Sequence, residues 1–260
     1  MQRIERFLET PFGRLHCVEQ GEGPALLLLH SNGCSWHEYE QVLPLLAPHM
    51  RCIAWDLPGH GDSERSGRHL SIEDYAQATL ALMDALDLGK AHICGASVGG
   101  FICMALARAA PARADSVVIV EAALRTPAEW EKDWDRIESQ FAMAQQGEQD
   151  IAPRFRHVTP ALLRRWNVDR AKAGGWRMVD VMWAIRDYDA MAELARVQVP
   201  AVVVIGDKGP VSGGRERYAK ALPRAPLHVI ADAGHFPMMD APAEFAQAVL
   251  RGIGSVTAQA

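Results

Sequence analysis

Gly95-Ala96-Ser97-Val98-Gly99 lies between an apolar run, Ala91 to Cys94, and a helix-like stretch, Phe101 to Ala110. A serine flanked by small residues at such a junction belongs to a strand-to-helix turn so tight that its hydroxyl is pushed into the open. The turn requires a strand that leads straight into a helix, which is the unit from which parallel sheets are wound. It also makes Ser97 a candidate nucleophile. Glycine-rich turns of this kind serve packing as well, so the neighbouring sequence has to carry the argument further.

The rest of the chain has the same rhythm. Ile4 to Glu9 and Leu15 to Glu19 alternate apolar and polar residues around Thr10-Pro11-Phe12-Gly13 and read as an antiparallel hairpin. After them, Ala25–Leu29, Cys52–Trp55, Ala91–Cys94, Val117–Val120, Ala201–Ile205 and Leu227–Ile230 are short runs rich in Val, Ile and Leu, as expected of strands buried on both faces of a mostly parallel sheet. Helical patterns alternate with these runs. Ser71 to Leu86 is the clearest, with Ser71 as cap, Glu73 and Asp74 in the first turn, and Tyr75, Leu80, Leu82, Met83 and Leu86 on one face. The order predicts an α/β fold with a doubly wound, mostly parallel sheet.

Residues 124–196 break the rhythm. They lack a good strand run and hold five of the seven tryptophans, Trp130, Trp134, Trp166, Trp176 and Trp183. We read them as a helical cap inserted into a core made of 1–123 and 197–260. Trp130, Trp134, Trp176 and Trp183 are expected to line an apolar pocket, although such residues also build satellite cores.

At 260 residues the chain suffices for one large α/β domain with an insertion. Its 27 basic and 32 acidic residues give a net charge of -5 without long single-sign runs, which argues against a nucleic-acid partner. The five cysteines are scattered and read as reduced, mostly packed thiols. Charges near Met1 and the lack of any apolar stretch of about 18 residues predict a cytoplasmic protein without membrane association. The small-residue tail after Gly252 is expected to fray.

A serine hydroxyl is a weak nucleophile at neutral pH and needs a base within hydrogen-bond reach, oriented in turn by an acid. Of ten histidines, His235 follows the last apolar run through Ala231-Asp232-Ala233-Gly234. It therefore sits in a loop at the carboxyl edge of the sheet, where sites assemble. His60 reads as structural and His92 as packed within its strand. His30 and Ser31, at the end of another strand, are expected to line the site. No HExxH motif or zinc-spaced Cys/His cluster occurs, so neither metal nor cofactor is expected.

Taken together, His30-Ser31-Asn32-Gly33, Asp56-Leu57-Pro58-Gly59-His60-Gly61-Asp62-Ser63, the Ser97 turn and Gly234-His235-Phe236-Pro237 resemble, in order and over nearly the whole chain, the α/β-hydrolase superfamily. The resemblance implies the α/β-hydrolase fold, Ser97 as nucleophile, His235 as general base, and an oxyanion hole built from the main-chain N–H groups of Val98 and Asn32. Common members have glycine where this chain has Ser31. They also place the acid in a G-x-x-D loop after the penultimate strand, where this chain has Gly206-Asp207-Lys208-Gly209, with glycine in the acid's position.

Two acids remain, Asp207 two residues early and Glu121 directly after the Val117–Val120 run. A short side chain displaced by two residues in a tight loop turns away from its target, whereas glutamate at a strand end has reach. Zearalenone-type lactone hydrolases, certain dehalogenases and cofactor-free quinolone dioxygenases resemble the Glu121 arrangement, which we favour over Asp207. Serine at the turn argues against dehalogenase chemistry, which needs a carboxylate there. The expected activity is cleavage of a carboxylic ester or lactone with an apolar body, a small-molecule substrate, with Phe236 in the pocket. Alternatives are cofactor-free dioxygenation of an aromatic heterocycle, amide or carbon–carbon bond hydrolysis, and a non-catalytic receptor-like role; the oligomeric state stays open.

Overall fold

Valine, leucine and isoleucine dominate the runs that become the central strands, because these strands must be apolar on both faces. The computed structural model describes residues 1–258. Its strands are β1 (Ile4–Thr10), β2 (Gly13–Gln20), β3 (Ala25–Leu29), β4 (Arg51–Trp55), β5 (Ala91–Ala96), β6 (Ala114–Val120), β7 (Ala201–Gly206) and β8 (Leu227–Ile230). They form one sheet in the order β1-β2-β4-β3-β5-β6-β7-β8. All neighbours from β4 to β8 pair in parallel, while β1 and β2 add an antiparallel hairpin at one edge. This is the α/β-hydrolase fold.

The period of two in each strand divides its side chains between two cores. Leu27, Leu29, Ile53, Ile93, Val117, Ile119 and Val203 pack on one face. Leu26, Leu28, Cys52, Cys94, Val118, Val120 and Val202 pack on the other. All five cysteines are buried free thiols. The last strand departs from expectation: β8 is an edge, with Val229 41% exposed, so it is not buried on both faces.

Helices cover both faces. In chain order they are α1 (Leu43–Leu46), α2 (Ile72–Ala85), α3 (Val98–Ala109), α4 (Pro127–Ala142), α5 (Glu148–Ile151), α6 (Pro160–Asp187), α7 (Ala190–Leu194), α8 (Arg215–Ala221), α9 (Pro237–Asp240) and α10 (Pro242–Thr257). Ser71 and Asp74 close a reciprocal capping box on α2, which satisfies two of its otherwise orphaned N–H groups. Helix α10 does not fray after Gly252. It continues to Thr257 because Ile253 and Val256 still reach the sheet face that Phe245 and Val249 cover. Gln259 and Ala260, the end of that tail, lie outside the described residues.

Helices α4 to α7 all lie between β6 and β7. Helix α6 is broken at Gly174, whose φ of +80° is open to glycine alone without strain. No helix is long and apolar enough to cross a membrane among the described residues.

Register brings the loops together. Leu29 pairs with Gly95, Ala96 with Val120, Val120 with Val204, and Gly206 with Ile230. The carboxyl ends of β3, β5, β6, β7 and β8 thus open onto one edge, on either side of the point where strand order reverses.

Candidate active site

Ser97 follows β5 with φ 52° and ψ -111°, outside the regions that L-residues favour. Such a conformation costs about 1–3 kcal/mol and persists only where its surroundings enforce it. Here the enforcement is visible. The Ser97 N–H donates to Val120 O at 2.8 Å and Gly100 N–H donates to Ser97 O at 3.0 Å. A Cβ on Gly95 would stand 2.1 Å from Gly99 O, and one on Gly99 would stand 2.5 Å from Leu29 O. The glycines of the motif are therefore required by close backbone approach.

Glu121 begins where β6 ends, again with positive φ (48°), and its side chain is wholly buried. Its Oε2 accepts from His235 Nδ1 at 3.1 Å and its Oε1 accepts from Gly206 N–H at 2.8 Å. The carboxylate is thereby fixed on both oxygens. The imidazole carries its proton on Nδ1, and Nε2 is left without a protein partner among the described residues. The His235 main chain is held as well, its N–H donating to Arg154 O at 2.7 Å.

Asp207 does not take part. Its Oδ2 lies 3.9 Å from Lys208 Nζ, its buried Oδ1 has no partner among the described residues, and it makes no bond to His235. Gly209 explains why the acid can stand at 121: a Cβ there would sit 2.7 and 2.8 Å from the two Glu121 carboxylate oxygens. The usual loop is vacated, and the glutamate fills the space from the neighbouring strand.

Ser97, His235, Ser31, Asn32, Trp130 and Phe236 all line one cavity of about 380 Å³. No hydrogen bond joins the Ser97 hydroxyl to the His235 ring in this conformation, and such bonds are often long until substrate closes them. Val98 is the first residue of α3, so its N–H has no acceptor within the helix. The turn carrying Asn32 is held by its side chain, which donates from Nδ2 to Met178 O at 2.8 Å and accepts from His60 Nε2 at 3.2 Å.

Ser31 replaces the usual glycine without strain. Its N–H and hydroxyl both donate to the buried Glu38 carboxylate, at 2.9 and 3.1 Å. Desolvation pushes the Glu38 carboxyl up to about 7. Glycine is needed two residues later, at Gly33, where φ is +79° and a Cβ would meet Met178 Sδ at 2.7 Å.

Several expected pocket residues lie elsewhere. His30 is fully buried outside the cavity, where its Nε2 accepts from Leu57 N–H and its Nδ1 donates to Ser31 O. Trp134 is buried between Trp130 and Trp183, with ring centroids 6.3 and 4.3 Å away. Trp176 and Trp183 are 63% and 39% exposed, on a separate surface groove with Gly175 and Asp180. Trp166, before the break, is the α6 tryptophan that reaches the cavity, together with Arg154, Met182 and Ile185.

His60 and His92 are structural. His92 bonds Ser116 Oγ, and His60 supports Asn32. Asp56, also in the His60 loop, is wholly buried and accepts from Trp36 N–H, Asp62 N–H and His16 Nδ1. A Cβ on Gly61 would lie 2.2 Å from that carboxylate, which accounts for the glycine.

The chain matches the model of the alpha/beta hydrolase family over residues 26–248. It is 29% identical over 242 residues to the dihydrolipoyllysine-residue acetyltransferase component of an acetoin cleaving system from Pseudomonas putida, covering 88% of this chain and 63% of that protein's length. It is 26% identical over 255 residues to a pimeloyl-[acyl-carrier protein] methyl ester esterase from Nitrosomonas europaea, covering 89% of this chain and 96% of the relative. The crystal structure of the enol-lactonase from Burkholderia xenovorans LB400 superimposes with a TM-score of 0.82 at 25% identity, over 96% of this chain and 100% of that one. With its sheet order, its strained serine turn and a family match across most of its length, this chain is an enzyme of the α/β-hydrolase family.

Proposed function

We propose that the protein is a serine hydrolase that cleaves a carboxylic ester or lactone through an acyl-enzyme on Ser97. The observation that carries this reading is the hydrogen bond from His235 Nδ1 to a Glu121 carboxylate that is fully buried and tied at its other oxygen. An imidazole held in this tautomer presents Nε2 as a base, which is the task of the histidine in a triad. Ser97 Oγ attacks the carbonyl while Nε2 takes its proton. The same proton then goes to the leaving alkoxide, and the cycle repeats with water to release the acid. The N–H groups of Val98 and Asn32 receive the developing oxyanion; each such donor is worth about 3 kcal/mol. Helices α4 to α7 act as the cap, supplying Trp130, Trp166, Met182 and Ile185 as an apolar wall.

The likeness to an esterase and an enol-lactonase supports acyl chemistry over oxygenation. Labelling with a fluorophosphonate and turnover of short p-nitrophenyl esters test the proposal directly. Both are lost in Ser97→Ala if the reading holds. Persistent labelling of that variant rejects Ser97 as nucleophile, and oxygen uptake with a hydroxyquinolone that survives the substitution would establish the dioxygenase instead.

A further inference from the structure

The cavity that holds Ser97 carries three arginines, Arg125, Arg136 and Arg154, against one carboxylate, Asp150. Arg125 and Arg136 share Asp133, at 2.5 and 3.7 Å. Arg154 differs: its guanidinium makes no hydrogen bond and no ion pair within 4 Å among the described residues. Arg154 is half-buried in the cavity wall, and no protein group among the described residues satisfies its charge there. Burial pushes its pKa below that of an ordinary arginine, and the field of Asp150 opposes this only in part.

Its surroundings deepen the deficit. Arg154 and the wholly buried Arg170 each place their guanidinium carbon 5.5 Å from the Trp166 ring centroid. Nε and Nη1 of Arg170 also lack partners among the described residues, while its Nη2 donates to Gln140 O and Met143 O. Two cations thus face one indole, and neither forms an ion pair among the described residues. The position of Arg154 relative to the catalytic groups is fixed by its own backbone, since Arg154 O accepts the His235 N–H at 2.7 Å and would lie 2.1 Å from a Cβ on Gly234.

We infer that Arg154 is a specificity-determining residue that binds a carboxylate on the substrate, so that the natural ester or lactone is anionic, with a carboxylate at the end remote from the scissile carbonyl. A guanidinium fork is suited to this task, offering two parallel donors to a planar carboxylate. The apolar wall then contacts the carbon chain between the two functional groups. The inference rests on the acyl-transfer reading of Ser97.

Mono-p-nitrophenyl esters of glutarate, adipate, pimelate and suberate, each compared with its neutral methyl-ester counterpart, provide the test. For the best-fitting chain length, wild-type kcat/KM should favour the anionic ester by roughly ten- to a hundredfold, the worth of a charged hydrogen-bonded pair. Arg154→Met should bring that ratio to near unity and Arg154→Lys should retain part of it. A merely structural role would lower both esters together and leave the ratio intact, which would overturn the inference. Neutral esters turned over as well as anionic ones at every length would also overturn it, with the hydrolase reading still standing. In parallel, binding of the free dicarboxylates to Ser97→Ala is followed by tryptophan fluorescence. If neither ester class is hydrolysed, the hydrolase reading falls, and the binding decides: binding weakened by Arg154→Met upholds the carboxylate site, and no binding refutes it.

Discussion

Ser97, Glu121 and Gly209 show how single positions divide the work of the site. Glu121→Gln keeps an acceptor for Gly206 N–H but removes the negative charge facing His235 Nδ1. Loss of the orienting acid in comparable triads costs roughly ten-thousandfold in kcat, and we expect a fall of that order here. Asp207→Asn should leave kcat/KM near wild type, because Asp207 does not touch the histidine; the reverse ranking in steady-state kinetics would reassign the acid. Gly209→Asp should by itself lose activity, since its Cβ enters within 2.7 Å of the Glu121 carboxylate. In a Glu121→Ala background the same aspartate has room to approach the place where the glutamate stood, and part of the lost activity should return. Failure of the double variant to exceed Glu121→Ala would show that the two acid positions are not interchangeable in this scaffold. Glu121 was legible as a candidate from its place after an apolar run. Its bond to Gly206 N–H was not, because that contact joins residues on neighbouring strands 85 positions apart.

Whole elements impose two further requirements. The serine turn works because β3, β5 and α3 approach closely, so Gly99→Ala must force its methyl against the Leu29 carbonyl, 2.5 Å away. Overpacking of this kind typically costs about 1–3 kcal/mol, and more where backbone must move; thermal melting should show the loss, and an unchanged Tm would mean the turn is looser than described. The loop carrying Asn32 depends on the short helical turn Trp36–Tyr39, which brings Glu38 beneath Ser31. Burial raises the Glu38 carboxyl from 4.5 to about 7, so the folded state holds a proton that the unfolded chain releases. Its contribution to stability is therefore full below about pH 4.5 and is lost as pH rises through about 7. Asp169, raised to about 6 by burial, acts in the same direction. Glu38→Gln should flatten, without abolishing, the decline of Tm across that window; an unaltered pH profile would place the proton elsewhere. The helix pattern of α2 was readable because its cap and periodicity are local. The break in α6 falls at Gly174, the first of the pair Gly174-Gly175, a breaker signal that our reading of residues 124–196 did not use.

The whole molecule is a sheet with two cores, and its site depends on both. Phe245 of α10 is fully buried against the face that also carries Cys94 and Val120. Phe245→Ala should lower the unfolding free energy by about 3–5 kcal/mol in a denaturant titration, as expected for deleting a large core aromatic; a loss under about 1 kcal/mol would mean that the helix rests loosely on the sheet. Phe155 stacks on Phe236 at 4.6 Å, and Trp166 meets Phe236 edge-on at 5.4 Å, so the helical insertion is packed against the loop that carries His235. By itself the sequence determined the succession of apolar runs along the chain, the serine turn and the placing of Ser97, Glu121 and His235 after strand ends, because each depends on residues close together in the chain, and the order of those local motifs pointed to the family. The tertiary structure alone decided which acid meets His235, that Trp166 replaces Trp176 and Trp183 at the cavity, that His30 lies outside it, and that Arg154 stands there without a partner. Those outcomes depend on strand register, on how the two halves of α6 pack and on which charges find partners among the described residues, and such quantities arise only when segments distant in sequence are brought into contact.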